Sequence, residues 1–281
     1  MNVLLPTSLF EACRLAADHG GRAVPMAGAT DLLVHWPLRQ AEHDRTYLDL
    51  SKVEELRTIS WNPDTLTLGA LATYWDTVNQ SRVAGEFPLL VEAARQVGAI
   101  QIQSRGTWAG NIANGSPAAD GVPVLMAYDA AVTLASSAGV RSVPLHAYYT
   151  GYRASVRRPD ELISAITLPR RRYDFAAFHK VGPRRAQAIT KVGLAVTRDA
   201  AETPERWRVV ANSVAATVRR CPVIESLLNK GVPIRSAGDF LEAALADVTP
   251  IDDIRSTAEY RRTVLCRLLY HSLKGVCASV Q

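Results

Sequence analysis

Short apolar runs alternate with polar turns in the first hundred residues, a pattern that predicts strands and helices in turn. Apolar positions at helical spacing begin at Leu9, directly after Ser8, whose side chain suits a helix N-cap, and Gly20-Gly21 ends this predicted helix. Apolar runs bounded by turn residues predict strands, and two longer periodic segments predict helices. The predicted strands lie at 23–26, 47–50, 56–59 and 65–70, and the predicted helices at 71–78 and 88–97.

A segment rich in glycine, asparagine and serine, 106–120, interrupts this pattern in the middle of the chain. Few of its residues suit a packed core, so it predicts a loop whose backbone comes close to a polar group. Exposed amides in such a turn bind anions. A second small-residue turn, 27–31, follows the strand predicted at 23–26, an order that favours a phosphate site. The alternative for Gly28 is an ordinary turn glycine.

The pattern changes at Tyr173. Before that position the sequence predicts a helix at 122–128, a hairpin of 131–134 with 140–143, and a strand at 162–168. Long alternating segments then predict antiparallel strands joined by polar turns such as 200–205, and periodic segments predict helices. Strands followed by helices indicate a separate α+β domain. The strands lie at 175–181, 188–197 and 207–214, and the helices at 223–229, 237–246 and 257–273.

The composition is that of a soluble globular protein with a substantial core: 281 residues, 48% hydrophobic and 21% charged. The net charge is +5, but the basic pairs are dispersed, so solvated faces or an acidic partner explain them better than nucleic acid does. No apolar run has the length of a membrane span, and the N-terminus lacks the features of a signal peptide. These features predict a cytoplasmic protein.

Common catalytic and metal-binding motifs are absent from the sequence. The cysteines are too far apart for a zinc or iron–sulfur ligand set and are typical of free thiols in a reducing compartment. The six histidines include no H-E-x-x-H, and no G-x-G-x-x-G follows a strand, so neither a metal site nor a Rossmann site is predicted. No acid–base pair indicates a catalytic centre. The cysteines are Cys13, Cys221, Cys266 and Cys277.

Four segments, in the same order, resemble motifs of one protein family. The turn 27–31 is similar to A-G-G-T-D, and the stretch 101–120 is similar to Q-I-R-N-x-G-T-I-G-G-N-x-x-x-x-S-P-x-x-D. The segment 178–192 resembles K-x-x-x-R with its following strand, and 256–262 resembles S-x-x-Y-R. The family is the FAD-binding (medium) subunit of the molybdenum hydroxylases, of the xanthine dehydrogenase and carbon monoxide dehydrogenase type.

The resemblance spans essentially the whole chain and implies an α+β fold in three parts. Residues 1–59 and 60–172 would form two FAD-binding subdomains, a clasp of the vanillyl-alcohol-oxidase (PCMH) type. Residues 173–281 would form a C-terminal α+β domain of the carbon monoxide dehydrogenase flavoprotein type.

The resemblance also implies an electron relay. A large partner subunit would carry a molybdenum cofactor and a small partner subunit two [2Fe-2S] clusters. Noncovalent FAD in this oxidoreductase subunit would pass electrons to NAD+, a quinone or another acceptor. The assembly would be a heterotrimer or a dimer of heterotrimers, with no catalytic residue in this chain beyond the flavin.

Residue roles carry over where the motifs match. Residues 28–31 and 107–111 would hold the pyrophosphate with backbone amides, and Asp120 would accept hydrogen bonds from the ribose or adenine end. Ile163 would pack at the isoalloxazine, and Lys180 would lie near it. The full implied set is Pro25, Met26, Ala27, Gly28, Ala29, Thr30, Asp31, Leu32, Thr107, Trp108, Ala109, Gly110, Asn111, Ser116, Asp120, Ile163 and Lys180.

Several alternatives remain at this point. Lys180 could be an exposed strand lysine, and Asp120 a helix N-cap before Val122. Ala29 and Ala109 stand where the family has glycine, and an alanine costs about 1 kcal/mol or more wherever positive φ is required. The alternative functions are a self-contained FAD-dependent oxidoreductase of the same fold and an assembly subunit without FAD.

Overall fold

A computed structural model describes residues 2–36, 43–199, 201 and 206–281. The chain begins with a parallel three-stranded sheet in the order β1-β3-β2. Helix α1 starts as predicted, because the Ser8 side chain accepts a hydrogen bond from the Glu11 amide. The elements of this part are β1 Asn2–Leu4, α1 Leu9–Asp18, β2 Val24–Met26, α2 Leu32–His35 and β3 Thr46–Asp49.

An antiparallel five-stranded sheet follows, in the order β4-β5-β10-β6-β7. Its core is continuous with that of the first sheet, since Leu48, Leu68 and Ile166 belong to one buried cluster. The strands are β4 Ile59–Trp61, β5 Thr65–Gly69, β6 Ala131–Ser136, β7 Gly139–Pro144 and β10 Leu162–Pro169, with the small hairpin β8 Tyr149–Gly151 and β9 Ala154–Ser155. The helices are α3 Tyr74–Val78, α4 Ser81–Glu86, α5 Pro88–Gln96, α6 Ile100–Gln103, α7 Trp108–Asn114 and α8 Gly121–Ala127.

The C-terminal part is an antiparallel sheet in the order β11-β12-β13-β14, covered by helices around its own core. Trp207, Phe240 and Leu265 are fully buried in that core. The strands are β11 Tyr173–Val181, β12 Val192–Asp199, β13 Arg206–Asn212 and β14 Arg219–Arg220, and the helices are α9 Pro222–Asn229, α10 Leu241–Asp247 and α11 Ala258–Leu273. The α+β fold is confirmed.

The largest error of the sequence-based prediction concerns the middle of the chain. Residues 108–114 form helix α7 rather than a loop. The Thr107 side chain accepts a hydrogen bond from the Gly110 amide and so caps the helix. Trp108, Ala109 and Ile112 form its buried face. Glycine and asparagine have low helix propensity, but tertiary packing overrides that preference here.

Smaller errors concern the bounds of elements. The strand predicted at 56–59 is wrong because Glu54–Arg57 is a 3-10 helix, in which Leu56 is buried. The helix predicted at 71–78 begins only at Tyr74, after a capping box formed by Thr73. The strand predicted at 188–197 begins at Val192. The turn predicted at 200–205 lies outside the described residues, apart from residue 201.

Hydrogen bonds join the C-terminal sheet to the segment that precedes α8. The Ser213 amide donates to the Pro117 carbonyl at 2.7 Å, and the Asn212 side chain donates to the Ala119 carbonyl at 2.9 Å. Segment 116–120 is therefore held between the two parts of the molecule. Among the helices that the structure describes, none is long and apolar enough to cross a membrane.

Candidate functional site

A cavity of about 550 Å³ lies between the first two sheets, and both glycine-bearing turns line it. Residues 27–31 form part of one wall, and residues 106, 107 and 109–111 form part of another. Strand β2 leads into the first turn, and the Thr107 cap positions the second. Two segments about 80 residues apart in sequence thus meet at one site.

Gly28 allows the two turns to touch. A Cβ atom at this position would lie 1.8 Å from the Arg105 carbonyl oxygen, which no side chain tolerates. A hydrogen bond of 3.2 Å from the Asn114 side chain to Asp31 adds a second link between the two segments. The reading of Gly28 as an ordinary turn glycine is therefore wrong, because its role is close backbone approach.

The turn at 27–31 and the N-terminal end of α7 present unpaired backbone amides. In the described part of the chain, the amides of residues 28–31 donate to no other group, and the same holds for Thr107 and Ala109. Six unpaired donors on two walls of one cavity are suited to the oxygens of a diphosphate. A diphosphate-bearing cofactor therefore fits the residues that are present.

The two alanines that replace family glycines have different consequences. Ala29 has a φ of +58°, the left-handed conformation that costs an L-residue about 1–2 kcal/mol. Ala109 lies within helix α7 and is 4% exposed, so it needs no positive φ. Only the first substitution strains the backbone.

Most of the predicted site residues do line the cavity. The remaining five are not among its lining residues: Trp108, for example, is fully buried and donates from Nε1 to the Thr77 hydroxyl at 3.3 Å. Ser116 accepts a hydrogen bond from the Ala118 amide. The lining members are Pro25, Ala27, Gly28, Ala29, Thr30, Asp31, Leu32, Thr107, Ala109, Gly110, Asn111 and Ile163, and the others are Met26, Trp108, Ser116, Asp120 and Lys180.

Asp120 and Lys180 form a buried ion pair. Lys180 Nζ donates to an Asp120 carboxylate oxygen at 2.7 Å and to the Gln96 carbonyl at 2.9 Å. The Thr190 hydroxyl donates to the other carboxylate oxygen. Burial raises the pKa of the Asp120 carboxyl, and the Lys180 ammonium opposes that shift.

One of the two alternatives considered for this pair holds in part. Asp120 stands at the N-cap position of α8, but its side chain makes no cap hydrogen bond. The Lys180 side chain is 7% exposed, so it is not a solvated strand lysine.

The cavity is also lined by residues that the sequence analysis did not predict. Glu161 precedes β10, is 2% exposed and forms a bidentate pair with Arg141 of β7. The hydrogen bond from Arg141 lowers the pKa of Glu161 to about 2. The 20-residue separation of this pair explains why a sequence pattern did not reveal it. The residues missed include Tyr74, Val97, Ile102, Asn114, Arg153, Arg157, Glu161 and Leu162.

Two sheets around one cavity, with unpaired amides on two walls, define a protein that binds a diphosphate-bearing cofactor. Residues 1–171 match the family described as the FAD binding domain in molybdopterin dehydrogenase. Residues 176–276 match the CO dehydrogenase flavoprotein C-terminal domain. The chain belongs to this family of oxidoreductase flavoprotein subunits.

Similar proteins agree with this assignment. The carbon monoxide dehydrogenase medium chain of Hydrogenophaga pseudoflava is 28% identical over 279 residues, covering 97% of this chain and 96% of that protein. The xanthine dehydrogenase FAD-binding subunit of Escherichia coli O157:H7 is 29% identical, covering 90% and 88%. A solved structure of Hydrogenophaga pseudoflava carbon monoxide dehydrogenase, which lacks the Mo-pyranopterin moiety of its cofactor, superimposes with a TM-score of 0.87 at 25% identity. The match covers 100% of this chain and 98% of that one.

Proposed function

We propose that this chain binds FAD noncovalently in the cavity and passes electrons from [2Fe-2S] clusters of a partner subunit to an external acceptor. The observation that carries the proposal is the set of unpaired amides of residues 28–31, Thr107 and Ala109, all of which line one cavity. Neither turn contains a cysteine or histidine that would suggest a covalent flavin link.

The chain's own residues would bind and orient the cofactor. The two turns would hold the diphosphate, while Ile163 and the apolar residues beside it would exclude water from the isoalloxazine. Bound FAD supplies the redox chemistry, exchanging electrons one or two at a time. Direct contacts from Asp120 and Lys180 remain a prediction, as does the division into 1–59, 60–172 and 173–281.

The proposed partners are a large molybdenum-cofactor subunit and a small iron–sulfur subunit, in a heterotrimer or a dimer of heterotrimers. Support comes from the relatives, which are described as a medium chain and as a FAD-binding subunit. Support also comes from the cysteines of this chain, which are all free and buried and are too far apart in sequence for an iron–sulfur ligand set. The [2Fe-2S] clusters would therefore belong to another subunit. Free thiols favour the predicted cytoplasmic location.

The partner proposal is tested by expressing the chain alone and together with the products of neighbouring genes. Gel filtration should show a larger complex only in the second case, and only that complex should oxidise a substrate. Full turnover of a small-molecule donor by the isolated, FAD-loaded chain would contradict the relay. It would favour the self-contained oxidoreductase.

A further inference from the structure

Tyr74 occupies a defined place in the wall of the cavity, at the start of α3. Its amide donates to the Gly106 carbonyl at 3.1 Å. A Cβ atom on Gly106 would lie 3.3 Å from Tyr74 Cε2 and 3.5 Å from the Thr30 hydroxyl oxygen. The Trp108 ring packs against Tyr74 edge to face, with centroids 4.7 Å apart. Tyr74 therefore sits where the two glycine-bearing turns meet.

The Tyr74 hydroxyl is buried and has no hydrogen-bond partner within the described residues. Its residue is 2% exposed, so solvent does not satisfy the group. Nearby polar groups, in contrast, have hydrogen-bond partners. Trp108 Nε1 donates to the Thr77 hydroxyl, and the Tyr149 hydroxyl donates to the Ile112 carbonyl at 3.0 Å. A buried polar group without a partner is rare in a folded protein and needs an explanation.

Tyr74 also differs from the other buried polar atoms that lack a partner. In the ranges that the structure describes, these atoms belong to five residues, and Tyr74 is the one that lines the cavity. The other four residues, Tyr173, Trp207, Asn212 and Arg261, lie in the C-terminal part of the chain.

We propose that the Tyr74 hydroxyl donates a hydrogen bond to an oxygen of the diphosphate–ribityl segment of bound FAD. This inference rests on the proposed function, because it assumes that FAD occupies the cavity. Burial, together with the Asp120 carboxylate, raises the pKa of Tyr74 well above its ordinary value, so the hydroxyl keeps its proton. Tyr74 is thus a side-chain donor beside the backbone donors of the two turns.

The test compares Tyr74→Phe with Tyr128→Phe. The Tyr128 hydroxyl accepts a hydrogen bond from the Leu89 amide at 3.2 Å and lies outside the cavity. For each flavin-free protein, the melting temperature is measured, and the FAD dissociation constant is obtained by titration followed by flavin fluorescence. The two variants remove the same atom from a buried ring, so they are closely matched.

For Tyr74→Phe we expect FAD binding weaker by about five- to tenfold, the usual effect of one hydrogen bond. The melting temperature of the flavin-free protein should be unchanged or higher, since the variant removes an unsatisfied buried group. For Tyr128→Phe the melting temperature should fall, with the FAD dissociation constant within twofold of wild type.

Two results would overturn the assignment of Tyr74. One is an FAD dissociation constant for Tyr74→Phe within twofold of wild type. The other is a fall in melting temperature as large as that of Tyr128→Phe, which would mean that the hydroxyl has a partner within the protein. Failure of the wild-type protein itself to bind FAD would overturn the proposed function as well.

Discussion

Lys180 Nζ lies 2.7 Å from the Asp120 carboxylate, in an ion pair that joins the C-terminal sheet to the segment preceding α8. The two side chains are 7% and 12% exposed, so water does little to screen them. Removing one member of such a pair leaves the other charge buried without compensation, which is costly.

Asp120→Ala should therefore destabilise the protein by about 3–5 kcal/mol, as measured by urea unfolding at pH 7. Lys180 and Thr190 would both lose an acceptor. Asp120→Ala combined with Lys180→Met should cost less than the two single variants added together. Strict additivity would mean that the two side chains do not interact.

Asp120→Ala should also weaken FAD retention, because Asp120 is proposed to contact the cofactor. The melting temperature is measured with and without added FAD. A variant that loses less stability without FAD than with it has a flavin-specific defect. Equal losses under both conditions would restrict Asp120 to a structural role.

Glu161 should make stability depend on pH in the acid range. Its pKa is lowered from 4.5 to about 2, so the stabilising effect is complete above about pH 4.5 and is lost as the pH falls toward 2. The shift corresponds to about 3 kcal/mol. Glu161→Gln should lower the free energy of unfolding at pH 7 by an amount of that order and flatten its pH dependence between pH 4.5 and 2.

A matched control for Glu161 is the exposed pair of Arg14 and Asp18, whose side chains are 55% and 54% exposed. Asp18→Asn should change the free energy of unfolding by less than about 1 kcal/mol. Equal effects of Glu161→Gln and Asp18→Asn would contradict the importance assigned to the Arg141–Glu161 pair.

Ala29→Gly should relieve the strain of a positive φ. The gain in folded stability is about 0.5–1 kcal/mol, because glycine also increases the entropy of the unfolded chain. FAD retention should rise with it. Ala109→Gly provides the control: this position is helical, so glycine should destabilise by about 1 kcal/mol. If both variants changed the free energy of unfolding in the same direction, the conclusion that only Ala29 strains the backbone would be contradicted.

Gly28→Ala should weaken or abolish FAD binding, because its methyl group would force the first turn away from Arg105. Gly85→Ala is the control, since a Cβ at that position in α4 meets nothing within 4 Å. It should be neutral or stabilising by about 1 kcal/mol. FAD affinity is measured for both, and unchanged affinity in Gly28→Ala would show that the turns need not touch.

The sequence was sufficient for features that depend on local pattern. The Ser8 cap, the hairpin of β6 and β7 and the glycine-bearing turn at 27–31 all follow from residue types at fixed spacing. Helix α7 was missed because its small polar residues suggest a loop, whereas its stability comes from the burial of Trp108 and Ile112.

Long-range pairs could not be predicted from local pattern. Asp120 meets Lys180 across 60 residues, and Arg141 meets Glu161 across 20. Tyr74 looked like an ordinary helix residue, and only the folded structure shows that its hydroxyl lacks a partner. Such partners depend on how the sheets and helices pack, which residue spacing does not encode.

Flavin stoichiometry tests the central claim most directly. The purified wild-type chain is saturated with FAD and freed of excess cofactor, and its absorbance is recorded before and after denaturation and removal of the protein. We predict about one FAD per chain, all of it released into solution on denaturation. No retained flavin before denaturation, or flavin that stays with the denatured chain, would contradict noncovalent FAD binding by the two turns.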